Sequence, residues 1–207
     1  VFRLWKTLLK IKDLDYVIYH GDTMTTAAIA IASSRLFNPF KKYKNVHLEA
    51  GLRSGSLMEP FPEEISRRIA DRFSDILLAV SDRSENNLKK ANLSGEIIKV
   101  GNTVVDSVEI AHKLALKRKL KPLSKKKFAL ISIHRHENIK KKERLTKIVE
   151  ILSKVKTLSY FTLHDNPKDK LIEFGLYDKL KNSPYITLAD PTDYVEHPFQ
   201  MKHCDFL

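Results

Sequence analysis

Hydrophobic and polar positions alternate in short blocks along this chain. Four- to six-residue β-rich runs give way to stretches with helical periodicity, and the alternation repeats to the end. Tyr16–Tyr19, Val46–Leu48, Ile76–Val80 and Ile97–Val100 read as strands. Between and after them, Thr23–Leu36, Glu63–Ser74, Asp82–Ala91 and Thr103 to about Lys119 read as helices. Asp22 or Thr23 is placed to cap the first of these, and Pro62 opens the second with acids in its first turn. The pattern restarts with strands at Phe128–Ile133, Tyr160–Leu163 and Tyr185–Leu188, each followed by a helix: Lys142–Val155, Lys168–Leu180 and about Asp193–His203. Cys204–Leu207 opens a further strand. Short strands alternating with helices imply βαβ units and parallel sheets. The predicted fold class is α/β, with two doubly wound Rossmann-like domains: 1–118, a basic linker 119–127, and 128–207.

Composition changes this picture little. With 207 residues, 43% of them hydrophobic, the chain is long enough to bury a sizeable core. A single cysteine, Cys204, excludes an internal disulfide framework and points to a reducing, cytoplasmic setting. No apolar run reaches the roughly 18–20 residues of a membrane span. The first residue is Val1, and the start reads as the middle of a longer polypeptide. Charge is more informative. The net +12 is concentrated between residues 113 and 147, where 14 Lys or Arg face two acids; the remainder is neutral. The densest part, Lys113–Lys127, has no aromatic residue to stack on a base. A solvated helix end and linker accounts for it, and no nucleic-acid partner is expected.

In doubly wound sheets, ligands bind beyond the carboxyl ends of the strands. Four polar clusters lie there. The first is His20-Gly21-Asp22-Thr23, where Asp22 either serves chemistry or caps the next helix. In the second, His47 through Gly55, Arg53 could pair with Glu49 or hold a phosphate. The third, Glu59 through Arg68, has two prolines that stiffen the approach to Glu63 and Glu64. Carboxylates gathered in one cleft can hold different protonation states, as acid–base chemistry requires. The fourth, His134-Arg135-His136-Glu137-Asn138, follows the first strand of the second domain, and His164-Asp165-Asn166-Pro167 ends the next. The histidine spacings match no zinc pattern, and no metal site is expected.

In this order, HGDT (20–23), HLEAGLRSG (47–55), PFPEEISRR (60–68), GNTVVD (101–106), HRHEN (134–138) and HDNP (164–167) resemble the non-hydrolysing UDP-N-acetylglucosamine 2-epimerases. The combination of EAGLR, FPEE and GNTVVD is specific, and the resemblance covers essentially the whole chain. It implies a glycosyltransferase-B-like pair of Rossmann-like domains, both incomplete here. It implies interconversion of UDP-N-acetylglucosamine and UDP-N-acetylmannosamine by elimination and re-addition of UDP. Asp22, Glu49 and Glu63 then stand at the acid/base positions, and His134 at the catalytic histidine. Arg53, Arg135, Glu137, Asn138, His164 and Asn166 become candidate substrate contacts. The resemblance further implies a homodimer with no cofactor and no membrane partner. Three departures stand out. A Gly-Thr-Arg-Pro-Glu turn is not found ahead of Val1, nor a Thr-Asp-Ser-Gly-Gly loop after Leu207. Pro198 interrupts a position usually inside a helix, so that helix is expected to be kinked or to start later. These departures predict that the 207 residues alone are inactive. The alternatives are a non-catalytic folded remnant, or a UDP-sugar glycosyltransferase of similar architecture. The EAGLR and FPEE pair argues against the latter.

Overall fold

The computed structural model describes residues 1–57, 61–133 and 136–207, with the backbone alone for His136 and Glu137. It divides into two compact units, Val1–Val104 and Val105–Leu207. The first holds helix α1 (Phe2–Leu8), strand β1 (Tyr16–His20), α2 (Met24–Ala32), β2 (Lys44–Ala50), α3 (Glu63–Phe73), β3 (Ile76–Ala79), α4 (Asp82–Lys90) and β4 (Glu96–Lys99). Helix α5 (Thr103–Lys117) crosses the boundary. The second unit continues with β5 (Ala129–Ile131), α6 (His136–Ile139), α7 (Lys142–Leu152), β6 (Ser159–Thr162), α8 (Asp165–Glu173), α9 (Tyr177–Lys181), β7 (Ile186–Ala189) and α10 (Glu196–His203).

All named strand pairs are parallel, in the orders β1-β2-β3-β4 and β5-β6-β7. Each step in the first sheet goes the same way, and parallel crossovers are right-handed, so its helices must share one face. Side chains confirm this. Tyr19, His47, Leu77 and Ile97 stand in register across the four strands. Tyr19 packs with Ala30 of α2, His47 meets Asp71 of α3, and Leu77 packs with Leu88 of α4. The opposite face carries Tyr16, Ile18 and Ile98 exposed to solvent.

A buried polar network closes the amino ends of β2 and β3. The amine of Lys41 donates to Asn45 (2.9 Å) and Asp75 (2.6 Å), and Asn45 donates on to the Phe73 carbonyl (2.7 Å). Burial lowers the Lys41 pKa, against the pull of Asp75.

In the second unit, a single core of Ile139, Leu145, Val149, Phe161, Leu171 and Leu180 joins α6–α9 to the sheet. After β7 the chain returns by α10, and Phe206 pairs in parallel with Ala129 on the free side of β5. The order therefore reverses direction at β5, which makes this the switch point of the second sheet. Helix α10 starts at Glu196, so Pro198 sits in its first turn, where its missing N–H costs nothing. This is the later start expected for that helix.

Helix α5 is tied to the second unit. Arg118 Nη1 lies 2.5 Å from Asp193, and His112 stacks on Phe199. The basic segment that follows is also pinned. Gln200 accepts from the Leu123 N–H and donates to the Lys121 carbonyl, each at 3.0 Å, while Tyr160 donates to the Leu123 carbonyl. The lysine side chains at 121 and 125–127 remain exposed.

Candidate active site

Local chain chemistry places the first-unit residues. Thr23, not Asp22, caps α2: its Oγ1 accepts from the Thr26 N–H at 3.2 Å. Asp22 is left free to pair with Arg67 of α3. Arg67 Nη1 also lies 3.6 Å from Glu64, the residue after Glu63 at the start of α3.

Glu49 occupies an unusual position. The β2–β3 register slips between Leu48 and Ala50, so Glu49 is the extra residue of a bulge, and its φ is +63°. A non-glycine residue in the left-handed region costs about 1–3 kcal/mol and persists only where the surroundings impose it. The bulge turns the carboxylate toward His20, with Oε1 3.6 Å from Nε2. Two residues on, Gly51 has φ +83°, and a Cβ there would lie 2.3 Å from the Ser84 carbonyl. Only glycine fits, because the loop passes directly against α4.

The loop after Gly51 is anchored by carboxylates. Glu64, with no exposed surface, accepts from the Ser54 N–H (3.0 Å), the Ser54 hydroxyl (3.2 Å) and Arg68 Nε (2.9 Å). Burial opposes its charge, but the hydrogen bonds from Ser54 and Arg68 outweigh it and hold the carboxyl below its usual range. Of the two alternatives for Arg53, the pairing with Glu49 is not formed. Arg53 Nη1 instead lies 2.7 Å from Oδ2 of Asp71, because the Gly51 turn carries the guanidinium back over α3. Glu63 is half-buried, and its buried Oε2 takes no hydrogen bond among the described residues.

The structure thus places Asp22 just beyond the end of β1, Glu49 at the end of β2, Arg53 in the loop after it and Glu63 at the start of α3. In the second unit, a cleft of about 230 Å3 opens at the carboxyl ends of β5–β7, lined among others by Ser132, Thr162, His164, Thr192, Tyr194 and His197. His164 lies on its wall at the N-cap of α8. Asn166 is exposed in the first turn of that helix, and Asn138 is half-buried in α6. His134 and Arg135 lie outside the described residues, as does the side chain of Glu137.

A profile described as UDP-N-acetylglucosamine 2-epimerase matches residues 3–207. The chain belongs to the UDP-N-acetylglucosamine 2-epimerase family. Among curated relatives, it is 35% identical to the UDP-N-acetylglucosamine 2-epimerase of Methanocaldococcus jannaschii, over 98% of this chain and 56% of that protein. It is 38% identical to a UDP-N-acetylglucosamine 2-epimerase of Methanococcus maripaludis, over 92% of this chain and 53% of the relative. Solved epimerases superpose well. The Methanocaldococcus jannaschii enzyme in complex with UDP-GlcNAc and UDP gives a TM-score of 0.74 at 34% identity, over 99% of this chain and 56% of that one. The Neisseria meningitidis enzyme bound to UDP-GlcNAc gives 0.80 at 28% identity, over 98% and 56%. The chain spans about half the length of the epimerases it matches.

Sequence reasoning singled out Asp22, Glu49 and Glu63 but missed their supports. Arg67 and Asp71 stand mid-helix, where their partners lie 45 and 24 residues away in sequence. Their one sequence signal is charge on the helix face that also carries Ala70.

Proposed function

We propose that this chain carries the acid–base part of a non-hydrolysing UDP-N-acetylglucosamine 2-epimerase site. The reaction removes the proton at C2 of the sugar and expels UDP from C1. Re-addition of UDP with protonation of the opposite face of C2 gives the N-acetylmannosamine epimer. Asp22, Glu49 and Glu63 supply the base and acid, since inversion needs proton donors and acceptors on both faces. His134, Arg135 and the α8 start, with His164 and Asn166, stabilise the departing diphosphate. Arg53, Glu137 and Asn138 complete the substrate contacts, and the working enzyme is a homodimer. The observation that carries this reading is the bulge at Glu49. A strained, half-buried carboxylate at the end of β2, with Asp22 just beyond the end of the neighbouring β1 and held by Arg67, is maintained for chemistry rather than stability.

The test is a chimaera in which residues 1–207 replace the matching segment of the Methanocaldococcus jannaschii relative. With UDP-N-acetylglucosamine in D2O, the manno epimer should form with deuterium at C2. A folded chimaera that binds UDP yet exchanges no C2 proton would overturn the assignment.

A further inference from the structure

His47 and Asp71 have no part in the chemistry proposed above, yet both side chains are buried, at 0% and 1% exposure. His47 projects from β2 toward α3. Its Nε2 lies 2.9 Å from the Gly21 carbonyl and its Nδ1 2.8 Å from Asp71 Oδ1. A carbonyl oxygen only accepts, so Nε2 carries a hydrogen. One further hydrogen must lie between Nδ1 and Oδ1. The surroundings of Asp71 decide its side. Arg53 Nη1 stands 2.7 Å from Oδ2, and the Gly51 N–H points at Oδ1 from 3.4 Å. A carboxyl group facing a guanidinium, an amide donor and an imidazole serves as the acceptor, because its neutral form would leave Arg53 without a counter-charge beside it.

We infer that His47 is held as an imidazolium by Asp71, and that the pair is a positioning device for the carboxylates. Its second hydrogen bond grips the Gly21 carbonyl, fixing the turn that carries Asp22. Its backbone lies two residues before the bulged Glu49. Through Arg53, Asp71 ties down the loop beyond Gly51 as well. One buried aspartate therefore sets the spacing between the end of β1 and the end of β2. The positioning role rests on the epimerase reading; the protonation state does not.

The 15N-labelled 207-residue chain tests the first part by long-range 1H–15N correlation at pH 7.5, where an ordinary imidazole is mostly neutral. Both ring nitrogens of His47 should be protonated. A singly protonated His47 ring overturns the inference. Asp71→Asn should leave one ring proton and speed exchange of the Gly21 amide, which donates to Leu48 O, about tenfold. Amides of β6 should be unaffected. Should that variant not fold, the wild-type spectrum alone decides. In the chimaera, Asp71→Asn should lower kcat at least tenfold with KM little changed. An unchanged kcat overturns the positioning role, whereas an inactive wild-type chimaera would instead count against the epimerase reading.

Discussion

Replacing Glu64 by Gln is the sharpest test of how the first unit holds its loop. The side chain is fully buried, and both carboxylate oxygens receive donors: Ser54 twice on Oε2, Arg68 on Oε1. Glutamine has the same shape but only one acceptor oxygen. In either orientation its NH2 group faces a donor. Hydrogen bonds to a charged group contribute about 1.5–3 kcal/mol each. Breaking a buried ion pair costs about 3–5 kcal/mol, less where one partner can remain solvated, as half-exposed Arg68 can. The expected loss is about 2–4 kcal/mol. Trp5, the one tryptophan in the sequence, packs against Phe2 and Phe37 in the first unit, so urea unfolding followed by its fluorescence reports that unit. The pH dependence has a definite sign. Because the folded carboxyl is held below its usual range, its stabilisation is complete above the unfolded pKa of about 4.3 and lost as pH falls toward the folded value. The gap between wild type and variant should be constant from pH 8 to 6 and narrow below about pH 4.5. A gap under about 0.5 kcal/mol at pH 7, or one that does not narrow on acidification, would refute the reasoning.

Three other outcomes are expected. In the active chimaera, Asp22→Asn, Glu49→Gln and Glu63→Gln should each lower kcat by roughly 10²-fold, with UDP affinity little changed by isothermal calorimetry; near-normal turnover removes that residue from the catalytic set. Glu49→Gly should be about 1 kcal/mol more stable than Glu49→Ala by thermal melting, since only glycine adopts φ +63° without strain, and equal stabilities would mean that the bulge relaxes. Gln200→Leu releases the backbone at Lys121 and Leu123, so trypsin should cut between 118 and 127 faster than in the wild type; unchanged cleavage would show that those two hydrogen bonds do not restrain the segment.

Much of this fold was legible because short parallel strands are nearly continuous apolar runs. The carboxylate positions followed from where those runs stop. What escaped depended on backbone state or on distant partners. Lys168–Leu180 reads as one helix because Leu171 and Leu180 keep its apolar face. Gly175, at φ +71°, divides it into α8 and α9, and α8 begins earlier, with Pro167 in its first turn. Helix α1 buries none of its own residues and has no side-chain cap, so no pattern announces it. The basic segment reads as a free connector from its lysines. Its attachment depends on Gln200, about eighty residues later, which composition cannot reveal. The bulge at Glu49 leaves no mark at all, since nothing about a glutamate announces a left-handed backbone.

Neighbouring residues at the end of β1 divide two tasks. Thr23 secures the start of α2, and Asp22 pairs with Arg67 of α3. Had one side chain done both, any substitution there would have unravelled the helix along with the chemistry. As built, position 22 can change while α2 keeps its cap, so its mutants can be read as chemical rather than folding lesions. The same separation lets a lineage vary the side chain at position 22 without rebuilding the scaffold beneath it.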